Sequence, residues 1–146
     1  MLTAAPRPML LRVVFRHPLL HFIALVGLCA AYLQGGADKL LDFHGAVAEA
    51  AHFGLPYPHV LAAATIVTEL LGSALVLSGV RRWLGALWLA GFTLLATFVA
   101  NRFWQAPISE RFMVENAFFE HLGLVGGFLL VACQDLDLIG RTDGGR

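Results

Sequence analysis

Glu69, Glu120 and His121 are the residues in this chain best equipped for chemistry, and each interrupts a long run of apolar side chains. Glu69 shares a four-residue spacing with Thr65 and Ser73. Asn116, Glu120, Gly123 and Gly127 make a second stripe, with His121 beside it. Thr93, Thr97 and Asn101 make a third. Gln34 and Asp38 make a fourth, followed directly by Lys39. On a helix such spacings place side chains on one face. Carboxyl, imidazole, amide and ammonium groups gathered this way have two readings. They form a site for a proton, a quinone-like molecule, a metal ion or a small polar solute, or they form a hydrogen-bonded network that holds helices in register. Metal binding is the weakest of these. Adjacent helical residues such as Glu120 and His121 point about 100° apart, and the i, i+4 histidine pair of helical zinc sites is absent. His44, His52 and His59 read as surface histidines of a loop. No nucleophile with its base, phosphate-binding loop or facing pair of haem-ligating histidines is present, so no catalytic residue and no metal ligand is assigned.

The elements that must position these groups are apolar helices. Of the 146 residues, 58% are hydrophobic and 14% charged, and the mean hydropathy is +0.73. Soluble domains run at about 45–50% apolar and about 25% charged, so part of this surface must be covered by lipid. Four apolar runs, at 18–37, 60–80, 83–100 and 117–133, approach the roughly 20 residues that a membrane-crossing helix needs. An open sheet would leave its edge unbonded in lipid. The sequence therefore predicts an all-α, four-helix transmembrane bundle with spans at about 18–38, 59–80, 83–104 and 113–133. A short interfacial helix is expected over 43–53, with Val47, Ala50, Ala51 and Phe53 on lipid and His44, Glu49 and His52 toward water. Arg81 and Arg82 mark a tight turn. Ser109 is a candidate cap for the last helix. Gly123 and Gly127 form a GxxxG packing motif, and Phe103 and Trp104 belong to an aromatic belt. The segment 1–17 precedes the membrane domain, which covers 18–134, and 135–146 reads as a flexible tail.

Ionisable groups in hydrocarbon cost about 2.5–3.5 kcal/mol or more each, so they turn toward protein or water. Counting along helices at about 1.5 Å per residue, Glu69 lies deepest and Glu120 and His121 about two turns from one edge. One buried polar cluster is therefore expected, made of Glu69, Glu120 and His121 with Lys39, Asp38, Asn101, Thr97 and Asn116, open to one side. Lys and Arg counts orient the chain. Arg7, Arg12, Arg16, Arg81, Arg82, Arg141 and Arg146 fall on one side, and Lys39, Arg102 and Arg111 on the other. The bias puts both termini in the cytoplasm and the cluster on the periplasmic side. A cleaved signal peptide is disfavoured by the length of the first run. The zero net charge gives no basic face for a nucleic acid. Cys29 and Cys133 form no C-x-x-C pair and read as small hydrophobes.

The order of several short motifs resembles the DoxX family of small four-helix membrane proteins. Gln34-Gly35-Gly36-Ala37-Asp38-Lys39-Leu40 closes the first helix as that family's Gly-x-x-Lys pattern does. Phe53-Gly54-Leu55-Pro56 is similar to its loop before the second span. Thr68-Glu69-Leu70-Leu71-Gly72 is similar to its Glu-bearing helix, and Leu77-Ser78-Gly79-Val80-Arg81-Arg82 to its turn. The run from Phe118 to Phe128 resembles a subset of members. The resemblance implies a bacterial inner membrane and does not imply one reaction. Some members accompany sulfur or quinol oxidoreductases, and others sit among stress-response genes. The expected role is a membrane subunit or accessory of a redox or stress-response system. The alternatives are a small-solute or proton carrier using the same cluster, and a structural anchor for a partner protein. The partners implied are the bilayer and a redox protein or quinone. No cofactor follows from the residues themselves. Members often carry a histidine where this chain has Asn101-Arg102, which speaks against a histidine role at that position.

Overall fold

The computed structural model describes residues 17–143. Arg7, Arg12, Arg16 and Arg146, four of the arginines behind the orientation argument, lie outside the described residues, as do most of the N-terminal segment and the chain end. The order of helices is α1 (Pro18–Leu41), α2 (Phe43–His52), α3 (Pro58–Ser78), α4 (Arg82–Ala100), a 3-10 turn (Phe103–Gln105) and α5 (Ile108–Asp143). α1, α3, α4 with its following turn, and α5 are each long and apolar enough to cross a bilayer. They form the four-helix bundle that the hydropathy pattern predicts, and α2 is the short helix expected between the first two spans.

Local chemistry sets the helix ends. Pro18 opens α1, where its missing N–H is no loss, and His17 Nδ1 accepts from the Leu19 N–H at 3.2 Å. Asp42 joins α1 to α2. Its N–H donates to the Asp38 carbonyl at 2.8 Å, closing α1, while its carboxylate accepts from the Gly45 N–H at 2.9 Å, capping α2. Gly79 ends α3 at φ 77°, a left-handed turn that glycine adopts without a Cβ penalty. Arg82 then folds back, and its Nε donates to the Val76 carbonyl at 2.9 Å. α5 begins one residue after Pro107, whose carbonyl accepts from Glu110 and Arg111. Ser109 therefore sits inside the first turn and not at the cap.

α1 packs on α3, α3 on α4, and α4 on α5 along most of their lengths, while α5 meets α1 at few positions. The close approaches need glycine. A Cβ at Gly85 would lie 2.8 Å from the Gly72 carbonyl oxygen and 2.7 Å from Leu75 Cβ, and one at Gly36 would lie 2.8 Å from a Leu70 methyl. Gly36, Gly72 and Gly85 are thus the packing glycines. Gly123 faces open space, and Gly127 only meets Leu28 at 3.0 Å. The GxxxG pair is not the main seam, because its stripe points away from α4.

The apolar core fills the half of the bundle nearest the Gly79–Arg82 turn. Leu25, Cys29, Val76, Ala86, Leu89, Phe128 and Ala132 are buried there, and Tyr32 meets the edge of Phe128 with ring centroids 5.4 Å apart. At the same end the Asp135 carboxylate accepts the Trp83 N–H at 3.0 Å. That bond satisfies an orphan donor at the start of α4 and places a negative charge at the positive end of the helix. It also holds α5 in line, and the helix runs on to Asp143, through positions that the Gly-rich sequence marked as a loose tail. At the other end Phe103 packs edge-on against Phe118, and Trp104 joins them. These aromatics fasten the α4–α5 corner, whatever lipid contact their outer faces make.

Candidate functional site

Where the core stops, the side chains become small. Ala31 and Gly35 on α1, Ala46 and Ala50 on α2, Ala62 on α3 and Ala96 and Ala100 on α4 line a cavity of about 610 Å³ between all five helices. Helices held apart by their neighbours but carrying only methyl groups leave volume between them. Phe92, Val99, Leu61 and Leu124 complete an apolar wall, and the polar groups facing it are Tyr32, Lys39, Glu49, Thr65, Glu69, Thr93 and His121. A mostly apolar cavity of several hundred cubic ångströms with a few convergent polar groups is the usual form of a small-molecule site.

Glu69 is 7% exposed. Lys39 reaches it from α1, with Nζ 3.4 Å from Oε1 and 3.5 Å from Oε2. Gly35, one turn before Lys39, lets the two meet, since a Cβ there would stand 3.3 Å from Nζ and 3.5 Å from the carboxylate. The ammonium straddles both oxygens, so the pair is charge-assisted at both. Lys39 is the more exposed partner, its side chain at 22% against 10% for Glu69. Its apolar stem spans the helix surface while its side chain keeps partial exposure.

Two further polar pairs have a definite direction. Thr93 donates its one hydroxyl proton to the Leu89 carbonyl at 2.6 Å. Tyr32, hydrogen-bonded to Thr93 through both hydroxyls, is therefore the donor of that pair, and its oxygen keeps its lone pairs free to accept. On α5, His121 Nδ1 lies 2.8 Å from Thr97 Oγ1 and 3.0 Å from Asn101 Nδ2. The Asn101 NH₂ can only donate, so Nδ1 accepts and the neutral ring carries its proton on Nε2.

The expected cluster thus divides. The structure brings together Glu69 with Lys39, and His121 with Thr97 and Asn101, on the wall of one cavity. It does not bring in Glu120, Asn116 or Asp38. Glu120 and Asn116 are exposed on the outer side of α5. The reason is the 100° step of the helix: His121 faces in, so its neighbour Glu120 faces out and takes the Asn116 and Gly123 stripe with it. Asp38 is exposed and accepts from Gln34, one turn back on the same surface. α2 is also turned from its expected pose. Ala46 and Ala50 are buried against the bundle, and Glu49, expected to face water only, stands at the cavity rim. Tyr32 was missed, although it lies on one helical face with Gly36 and Lys39, a spacing visible in the sequence. Among the described residues no three of His, Cys, Asp or Glu gather in a metal-binding group.

The DoxX family model matches residues 21–102, more than half of the chain. The chain belongs to the DoxX family. Together with the four apolar helices, this makes it a multi-pass membrane protein in contact with lipid. The match in this DoxX chain covers α1 to the end of α4, and with them Tyr32, Lys39, Glu69 and Thr97. α5, which brings His121 to the cavity, lies beyond it. No curated protein and no solved structure matches the chain.

Proposed function

We propose that this DoxX protein binds a small, largely apolar molecule with an oxygen-bearing head, of the quinone class, and serves as a membrane subunit or accessory of a redox system. The observation that carries the reading is the 610 Å³ cavity with an ion pair, a tyrosine oxygen and an imidazole on an otherwise apolar wall. An apolar ring with polar edge atoms matches that distribution. The Lys39–Glu69 pair on the same wall also favours a second reading, a carrier that moves a proton or small solute through the cavity. The two separate on purification in mild detergent. The redox reading expects a quinone in the organic extract and its near-ultraviolet band in the protein's absorption spectrum. An empty protein that binds no added short-tailed quinone and dissipates a pH gradient in liposomes would replace the first reading with the second. The Lys and Arg bias supports an orientation with the Lys39 end outward and both termini cytoplasmic. A reporter fused after Arg146 that is active only in the periplasm would reverse that orientation.

A further inference from the structure

His121 is poised differently from the other polar groups of the cavity. Its Nδ1 is occupied by Thr97 and Asn101. Its Nε2 has no hydrogen-bond partner among the described residues, yet is not sealed in the protein, and the ring forms part of the cavity wall. Lys39, by contrast, already spends its charge on both Glu69 oxygens, and Tyr32 offers an acceptor. An unpartnered N–H on a residue of an otherwise apolar cavity wall is available to an acceptor that a ligand brings. A ligand that supplies an acceptor there is bound; one of the same shape without it is rejected.

We infer that His121 is the head-group donor of this cavity: its Nε2–H hydrogen-bonds a ketone oxygen of the ligand, and Thr97 and Asn101 are positioning residues that hold the ring in the required tautomer. The inference rests on the cavity being the ligand site, and it narrows the ligand to ring ketones. It also gives α5, which the family match does not cover, a role in selecting the ligand.

The test uses the full chain in detergent and two probes: a benzoquinone with a single isoprene unit, and the same ring and tail with both carbonyl oxygens replaced by hydrogen. The unaltered protein should bind the ketone at least tenfold more tightly than the hydrocarbon, and His121→Phe should lose about that factor for the ketone alone, the equivalent of one lost hydrogen bond. The hydrocarbon reports whether the variant still folds around the cavity. Imidazole ¹⁵N shifts, assigned by comparison with His121→Gln, should show Nε2 protonated and Nδ1 bare. Thr97→Val with Asn101→Leu should mix the tautomers and weaken ketone binding about threefold. If the unaltered protein binds neither probe, the cavity reading fails and this inference with it. If it binds the ketone and His121→Phe binds it equally well, or if Nδ1 carries the proton, the cavity reading stands and the role of His121 is wrong.

Discussion

Replacing Gly85 with Ala should lower the stability of the bundle by about 3 kcal/mol, the upper part of the usual range for overpacking. The size follows from what the added methyl group would meet. Its nearest neighbours are Leu75 Cβ at 2.7 Å, the Gly72 carbonyl oxygen at 2.8 Å and the Val76 nitrogen at 3.1 Å. Two of the three are backbone atoms of α3, which cannot rotate out of the way, so α3 and α4 must part. Gly72 gives a graded comparison. A Cβ there would press on Leu89 Cδ2 at 2.7 Å, a flexible side-chain end, so Gly72→Ala should cost less, about 1–2 kcal/mol. Gly91 on the outer face of α4 has nothing within 4 Å, and Gly91→Ala should be neutral or stabilising by up to about 1 kcal/mol through helix propensity. Thermal or detergent-titrated unfolding of the three variants checks the order. Equal losses at Gly85 and Gly91 would mean that α3 and α4 do not touch as described.

Lys39→Met should destabilise the protein more than Glu69→Gln does. The two partners are not equivalent. Removing Lys39 leaves a carboxylate that is 7% exposed, with Glu49 on the same cavity adding like charge. Removing the carboxylate's charge leaves an ammonium on a long, partly exposed stem, which can turn toward water. Breaking a fully buried pair from one side costs about 3–5 kcal/mol. Lys39 is 22% exposed in its side chain, so water screens part of that, and a loss of about 2 kcal/mol is expected for Lys39→Met. Glu69→Gln should lose half of that or less, and Lys39→Met combined with Glu69→Gln should recover most of the deficit, since no buried charge is then left unpaired. Unfolding midpoints of the four proteins measure it. A larger loss for Glu69→Gln, or a double variant with additive losses, would show that Glu69 is not held as an ion by Lys39.

These results depend on features of unequal legibility in the sequence. The number and order of the spans follow from hydropathy, because an open backbone in lipid must close its hydrogen bonds within long apolar helices, and the short α2 follows from its amphipathic spacing. That Glu69 needs neutralising was readable for a similar reason, since a carboxyl group that deep in apolar sequence must be protonated or find a partner, but the sequence left Lys39 and His121 equally open as that partner. The direction of the α5 stripe was not readable. Asn116, Glu120, Gly123 and Gly127 do share a face, as their spacing says, but in a membrane helix both the packed and the lipid-facing sides are apolar. Hydrophobicity therefore does not say which way the polar stripe points. The presence of His121 one position on decides it only once Thr97 and Asn101 are seen to hold the ring. The cavity was the least legible feature. It arises from alanines on α1, α2, α3 and α4, with Gly35, that share one level, and no single element records that level in its sequence. The helical end of α5 was hidden in the same way, since it depends on Asp135 meeting the start of α4.

The central claim is that the cavity beside Lys39, Glu69 and His121 is a ligand site. It is tested most directly by chemical access to its wall. In a Cys133→Ser background, which removes the exposed thiol and keeps the buried Cys29, Ala96→Cys places a thiol on the cavity wall and Gly91→Cys places one on the outer face of the same helix. Both should react with a membrane-permeant maleimide. Addition of a benzoquinone with one isoprene unit, at concentrations too brief and low for direct thiol addition as judged at position 91, should slow labelling at position 96 at least fivefold and leave position 91 unchanged. Equal rates at position 96 with and without the quinone, across a concentration range up to its solubility limit, would contradict the account.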